Sequence, residues 1–254
     1  MTPTGTLTGA LNDRARTLAI ADRLALARQT ITGRFVFTTS FGLEDQLIAH
    51  VIFSAHLDVD VVTLDTGRLF PETYALWADT ERRYGRRIQA YSPRHEALER
   101  YVAVHGINGF YASPQARLSC CDMRKVEPLG RALLGAHAWV TGLRGGQSAE
   151  RSHTCFAEYD EARAVYKLNP LFDQAYDAVL TFIAREAVPH NPLHARGFIS
   201  IGCAPCTRAV QPGEPERAGR WWWETESKQE CGLHLGGTRP PAPAAHDRTE
   251  EPAA

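Results

Sequence analysis

The sequence predicts an α/β fold, a parallel sheet covered by helices on both faces. Two observations predict it. Short apolar runs alternate along the chain with segments of helical period. The apolar runs are nearly continuous, as in VDVVTLD, which suits strands buried on both sides.

Apolar residues Ala15, Leu18, Ala19 and Leu24 predict one amphipathic helix over 12–29. FVFTTS (35–40) predicts a strand entering a turn, and 43–55 a helix. A second strand is expected at 59–65, then a helix opened by Pro71 and running to Tyr84. RIQAY (87–91) is a third strand and 94–104 a helix. A helix is expected over 122–134, strands at 138–143 and 163–171, and a helix near 176–187. Residues 189–220, rich in Pro, Gly and Arg, read as an ordered loop region. Residues 236–254 carry almost no large apolar side chains and are expected to be disordered.

The chain of 254 residues is 44% apolar and 22% charged, an ordinary soluble composition. A formal net charge of −1 gives no sign of a nucleic-acid partner. No apolar run approaches the roughly 20 residues that span a bilayer, and no secretory signal is evident at the N-terminus. Six cysteines are too few for a disulfide scaffold, which points to a reducing cytoplasm.

Four of those cysteines form two tight pairs, Cys120–Cys121 and Cys203–Cys206. Two distant thiol pairs brought together can hold a metal centre. Cys203 and Cys206 fit a zinc knuckle, but adjacent cysteines on a regular helix diverge by about 100°. A cluster with irons at several corners accommodates neighbouring thiolates more readily than a single ion does. Structural zinc and two inert buried pairs stay open.

Ser40 and Gly42, in TTSFGLEDQ, lie between a strand and a helix, where backbone N–H groups bind anions. LDTGRLFPET, at the end of the next strand, supplies a second wall. TGLRGGQS places Arg144 beside two glycines, suiting approach to a phosphate. Arg208, Arg217 and Arg220 follow the second cysteine pair, and Arg124 and Lys125 follow the first, so all converge if the pairs share a centre. Cys231 stands apart near the C-terminus, with Lys228, Glu230 and His234 close in sequence. A nearby cation there would favour the thiolate. Cys155 has no such context.

In combination, SFGLEDQ, LDTGRLFPET, CCDMRKVEPL, TGLRGGQS, KLNPL, HNPLHARGFISIGCAPCTR, GRWWWE and KQECGLH resemble the assimilatory, thioredoxin-dependent adenylyl-sulfate reductases of the sulfonucleotide reductase family. The resemblance covers roughly 35–235. It implies a Rossmann-like sheet of the adenine-nucleotide α-hydrolase-like group with a mobile C-terminal arm. It divides the chain into an N-terminal helical segment (1–34), a catalytic domain (35–220), an arm (221–235) and a tail (236–254). It implies a 4Fe-4S cluster on Cys120, Cys121, Cys203 and Cys206, and catalysis by Cys231 with Lys125 and His234. Ser40, Gly42, Leu64, Thr66, Arg144, Arg217 and Arg220 fall at its substrate-binding positions. The implied substrate is adenylyl sulfate and the implied reductant thioredoxin, in the cytoplasm, with a homo-oligomer left open. The chain departs from the family after KLNPL, where Phe172, Asp173 and Gln174 replace a stretch that often carries tryptophan; the expectation is a change of packing.

The chemistry expected of this set is attack of Cys231 on sulfur, release of AMP, and reduction of the S-sulfocysteine by thioredoxin. An ATP pyrophosphatase is disfavoured, because Phe41 and Asp45 stand where its loop needs glycine and serine. A nucleotide-binding redox sensor would have no use for the cation set. The cysteine pairs accompany preference for adenylyl sulfate over its 3′-phosphorylated form, by the same resemblance.

Overall fold

The computed structural model describes residues 2–224 and 232–233. Six strands form one sheet in the order β3-β2-β1-β4-β6-β5. They are β1 (Arg34–Thr39), β2 (Asp60–Leu64), β3 (Gln89–Tyr91), β4 (Ala136–Val140), β5 (Ala157–Asp160) and β6 (Val165–Leu168). All neighbouring strands are parallel except β5, which pairs antiparallel with β6 at the edge. The sheet is therefore mostly parallel.

Period-two alternation splits the core. Phe35, Phe37, Ala138 and Val140 pack on one face with Leu47, Ile48 and Ile52 of α3 (Leu43–Ser54). Val36 and Trp139 pack on the other with Val62, Leu129 and Ala132. Both faces are covered, as the continuous apolar runs require. The α4 helix (Pro71–Tyr84) starts on Pro71 and stops at Gly85 in the left-handed region, φ 62°. The α5 helix (His95–His105) and α8 helix (Tyr176–Arg185) also fall near their expected places.

Three features differ from the sequence expectations. The N-terminal helix is two helices, α1 (Pro3–Ala15) and α2 (Ile20–Thr30). Buried Arg23 causes the break: its Nε donates to the Ala15 carbonyl at 2.9 Å, while its guanidinium forms a double hydrogen bond with Asp173. The Phe172 ring lies under the same guanidinium at 4.8 Å, so the departure after KLNPL is filled by packing. Second, β5 is an added strand. Asn12 of α1 seals it, donating to the Ala157 carbonyl and accepting from its N–H.

Third, the adjacent cysteines end a helix instead of preceding one. The α6 helix (Pro114–Cys121) runs into a π-turn, Asp122–Val126, and then α7 (Glu127–Ala132). Pro128 accounts for the wide turn, since it has no N–H to donate to the Arg124 carbonyl in α-register. Among the described residues no helix is long and apolar enough to cross a membrane. The expected disordered tail lies outside the described residues.

Candidate active site

The strand order reverses between β1 and β4, which makes their carboxyl ends a topological switch point. A cleft of about 190 Å³ opens there. Its walls come from the loops after β1, β2 and β4 and from the segment around Cys203–Trp221. Ser40, Gly42, Leu64, Thr66, Lys125, Arg217 and Arg220 all line it.

The β1 loop is tightly held. Phe41 adopts φ 61°, a left-handed conformation rare for an aromatic residue. It is held there by burial against Trp77, with ring centres 5.7 Å apart, and by a hydrogen bond from its N–H to the Thr39 hydroxyl. Ser40 lines the cleft, and its N–H and hydroxyl both donate to Asp45 Oδ2, at 2.6 and 2.7 Å. Burial pushes the Asp45 carboxyl up to about 6 in spite of those hydrogen bonds. A Cβ on Gly142 would stand 2.2 Å from Asp45 Oδ1, so the β4 loop needs glycine there.

Arg144 stands apart from the residues grouped with it. It does not line the cleft. Its buried guanidinium is clamped by Glu44 at 2.8 Å and Glu216 at 2.6 Å, over the Tyr176 ring. It therefore fastens α3, the β4 loop and the C-terminal loop together from behind. Arg151, near the end of the same loop, lines the cleft instead, with its guanidinium hydrogen-bonded to Gln147. Arg208 likewise leaves the cation set, paired with Glu214 at 2.7 Å.

A second cavity adjoins the first. Cys120, Cys121, Cys203 and Cys206 line it, with Arg68, Phe110, Arg117 and Arg124. The π-turn makes this possible: five residues of regular helix would set Cys120 and Lys125 about 140° apart, yet both face this cavity. Lys125, Cys203 and Trp221 line both cavities. Burial alone would raise the Cys203 thiol, but Lys125, the Thr66 hydroxyl, Arg220 and Arg124 carry it below its usual value. Thr66 Oγ1 lies 3.3 Å from Cys203 Sγ, so this residue touches the thiol set as well as the cleft. Burial pushes Cys206 up to about 12, with neighbouring Cys203 adding to it.

The C-terminal loop is pinned beside these thiols. The Trp221 N–H donates to the Cys206 carbonyl at 3.1 Å. The Arg220 guanidinium sits so close to Gly202 that a Cβ there would lie 2.2 Å from it. Arg117, three residues before the first cysteine pair, forms a buried ion pair with Glu224 at 2.7 Å.

None of the five described cysteines forms a disulfide. Among the described residues no three His, Cys, Asp or Glu side chains gather as a single-ion site. Four thiols around one cavity fit a multi-iron cluster by donor chemistry. Cys231 and His234 lie outside the described residues. Leu233 between them is described and lines the cleft, a residue the sequence reading passed over.

Comparison with known proteins gives a consistent result. Residues 34–209 match the family described as phosphoadenosine phosphosulfate reductase domain. An adenosine 5′-phosphosulfate reductase of Sinorhizobium fredii is 55% identical over 89% of this chain and 90% of its own length. One from Agrobacterium fabrum is 50% identical over 95% of this chain and 93% of its own. The crystal structure of phosphoadenylyl-sulfate reductase from Candida auris, a phosphate complex, superposes with a TM-score of 0.70. Its identity is 28%, covering 83% of this chain and 99% of that one.

Proposed function

This chain belongs to the phosphoadenosine phosphosulfate reductase domain family, and from that premise we propose that it reduces adenylyl sulfate to sulfite and AMP, with Cys231 as nucleophile and a thioredoxin-type dithiol protein as reductant. The relatives that are about half identical over most of their length bear the name of this activity. The observation that carries the reading is the wall of Lys125, Cys203 and Trp221, common to the cleft and the thiol cavity.

The sulfate sulfur is ringed by anionic oxygens that repel a thiolate. Lys125, Arg217 and Arg220, all lining the cleft, lower that repulsion and stabilise charge growing on the phosphate side. The Cys231 thiolate attacks sulfur, the S–O bond to the phosphate breaks, and AMP leaves with the bonding pair. A partner thiolate then attacks the Cys231 sulfur, sulfite leaves, and the mixed disulfide is resolved by the partner's second thiol. The two electrons come from the dithiol. Cys120, Cys121, Cys203 and Cys206 would hold a 4Fe-4S cluster, which supplies electrostatics and a fixed frame. Arg144, clamped by two carboxylates, keeps the Glu44 and Glu216 elements together.

Intact mass of anaerobically purified protein after adenylyl sulfate, without reductant, tests this. A sulfite-sized increase, absent in Cys231→Ser and removed by thioredoxin, is expected. An increase only with the 3′-phosphorylated nucleotide would reassign the substrate. No increase with either would overturn the proposal.

A further inference from the structure

We infer that Leu233 is a positioning residue, whose side chain anchors the chain at Gly232–Leu233 on the wall between the two cavities. The inference rests on the reading of Cys231 as nucleophile. The two apolar clusters at the site are separate in composition. One, with Val36, Val62, Leu129 and Trp139, underlies the cleft. The other holds Phe110, Cys121, Cys203, Cys206 and Trp221. Among the described residues, Leu233 alone packs against both, and it lines the cleft as well.

The preceding residue fits this placement. Gly232 has φ 85°, in the left-handed region that side chains disfavour. The chain therefore turns at a glycine and sets the leucine down into the seam. Leucine offers no charge or hydrogen bond to a nucleotide, so its half-buried place beside Lys125, Arg217 and Arg220 is one of apolar packing. Two peptide units separate it from Cys231, which covalent geometry limits to about 7 Å. A contact that fixes Leu233 therefore limits how far the Cys231 backbone can stray from the seam.

The test uses anaerobic holoprotein with Leu233→Asp, Leu233→Ala and Leu233→Met. Three quantities are read: the rate of the sulfite-sized mass increase, AMP affinity by equilibrium dialysis, and iodoacetamide labelling of Cys231 by peptide mass. Leu233→Asp should slow the adduct about tenfold, the size that releasing one half-buried leucine allows. Leu233→Ala should fall between, and Leu233→Met should stay within about threefold of wild type. AMP affinity should change by less than about twofold in Leu233→Ala and Leu233→Met, which add no charge to the cleft, because a positioning residue does not bind the nucleotide. Labelling of Cys231 should quicken in Leu233→Asp and return in Leu233→Met. An unchanged adduct rate in Leu233→Asp overturns the inference, and so does AMP affinity falling in step with the rate in Leu233→Ala. If wild type forms no adduct, the functional reading fails by itself. Labelling then still decides docking: faster in Leu233→Asp upholds it, equal rates overturn it.

Discussion

In the sheet, Val36, Phe37, Ala138 and Val140 are fully buried and touch other apolar side chains from two layers of helix. From Pro189 to Glu224 the chain has little regular structure beyond short turns at Pro192–Arg196 and Ala204–Cys206. There the backbone is tied by single hydrogen bonds, such as Arg208 to Gly219, Val210 to Gly197 and Ala204 to Arg68. The buried Arg117–Glu224 pair adds a polar clamp at its end. The sheet is a scaffold held by area removed from water. The loop is a carrier of cations and thiols held by directional contacts. Damage to the first should appear as lost stability, and damage to the second as lost chemistry.

The comparison breaks most readily at its strongest points. Phe37→Ala should cost about 3–5 kcal/mol of stability, lowering the melting temperature by roughly 10 °C. Thermal unfolding checks this; a fall of a degree or two would mean the sheet is not the scaffold. Lys125→Ala should slow formation of the sulfite-sized adduct about 10²–10³-fold, with melting temperature and AMP affinity near wild type. If only AMP affinity changed, Lys125 would be a nucleotide ligand.

Asp45 sits where the two kinds of region meet. Burial raises its carboxyl from 3.8 to about 6. The folded protein thus binds this proton more tightly than the unfolded chain does. Stability contributed by the protonated form is lost as pH rises from about 4 through about 6. Asp45→Asn should stabilise the fold by on the order of 2–3 kcal/mol above that window, with the difference vanishing near its lower edge. Denaturant unfolding at several pH values checks it, and a difference independent of pH would discard the idea. The smallest effect is expected at the far edge of the sheet. Asn12→Ala removes two hydrogen bonds to Ala157. It should cost about 1–2 kcal/mol and leave adduct formation untouched. A fall in adduct rate would show that the edge and the cleft are not independent.

What the sequence revealed follows the same division. Strands β1, β2 and β4 were legible because burial on both faces writes continuous apolar runs. The ends of α4 were legible because Pro71 and Gly85 punctuate it. The split between α1 and α2 was not, since it depends on Arg23 meeting Asp173, 150 residues away. Strand β5, AEYD, has no apolar period and exists through pairing with β6. The α6 helix did carry a local signal that was overlooked, Ser113 capping Ala116 ahead of Pro114. At the site, the cysteine pairs and their neighbouring cations were plain from spacing. Arg144 was misplaced because its partners, Glu44 and Glu216, lie 100 and 72 residues away. Arginine beside two glycines looks the same in sequence whether it meets a phosphate or two carboxylates.

The wall shared by the cleft and the thiol cavity has a thermodynamic consequence. Lys125, Cys203 and Trp221 bound both spaces, so filling one redraws the edge of the other. Binding free energies are reciprocal. By whatever factor a group held on the four thiols tightens nucleotide binding, nucleotide must tighten retention of that group. If the four thiols hold a group, its equilibrium affinity for them should shift in saturating AMP by the same factor by which that group shifts AMP affinity.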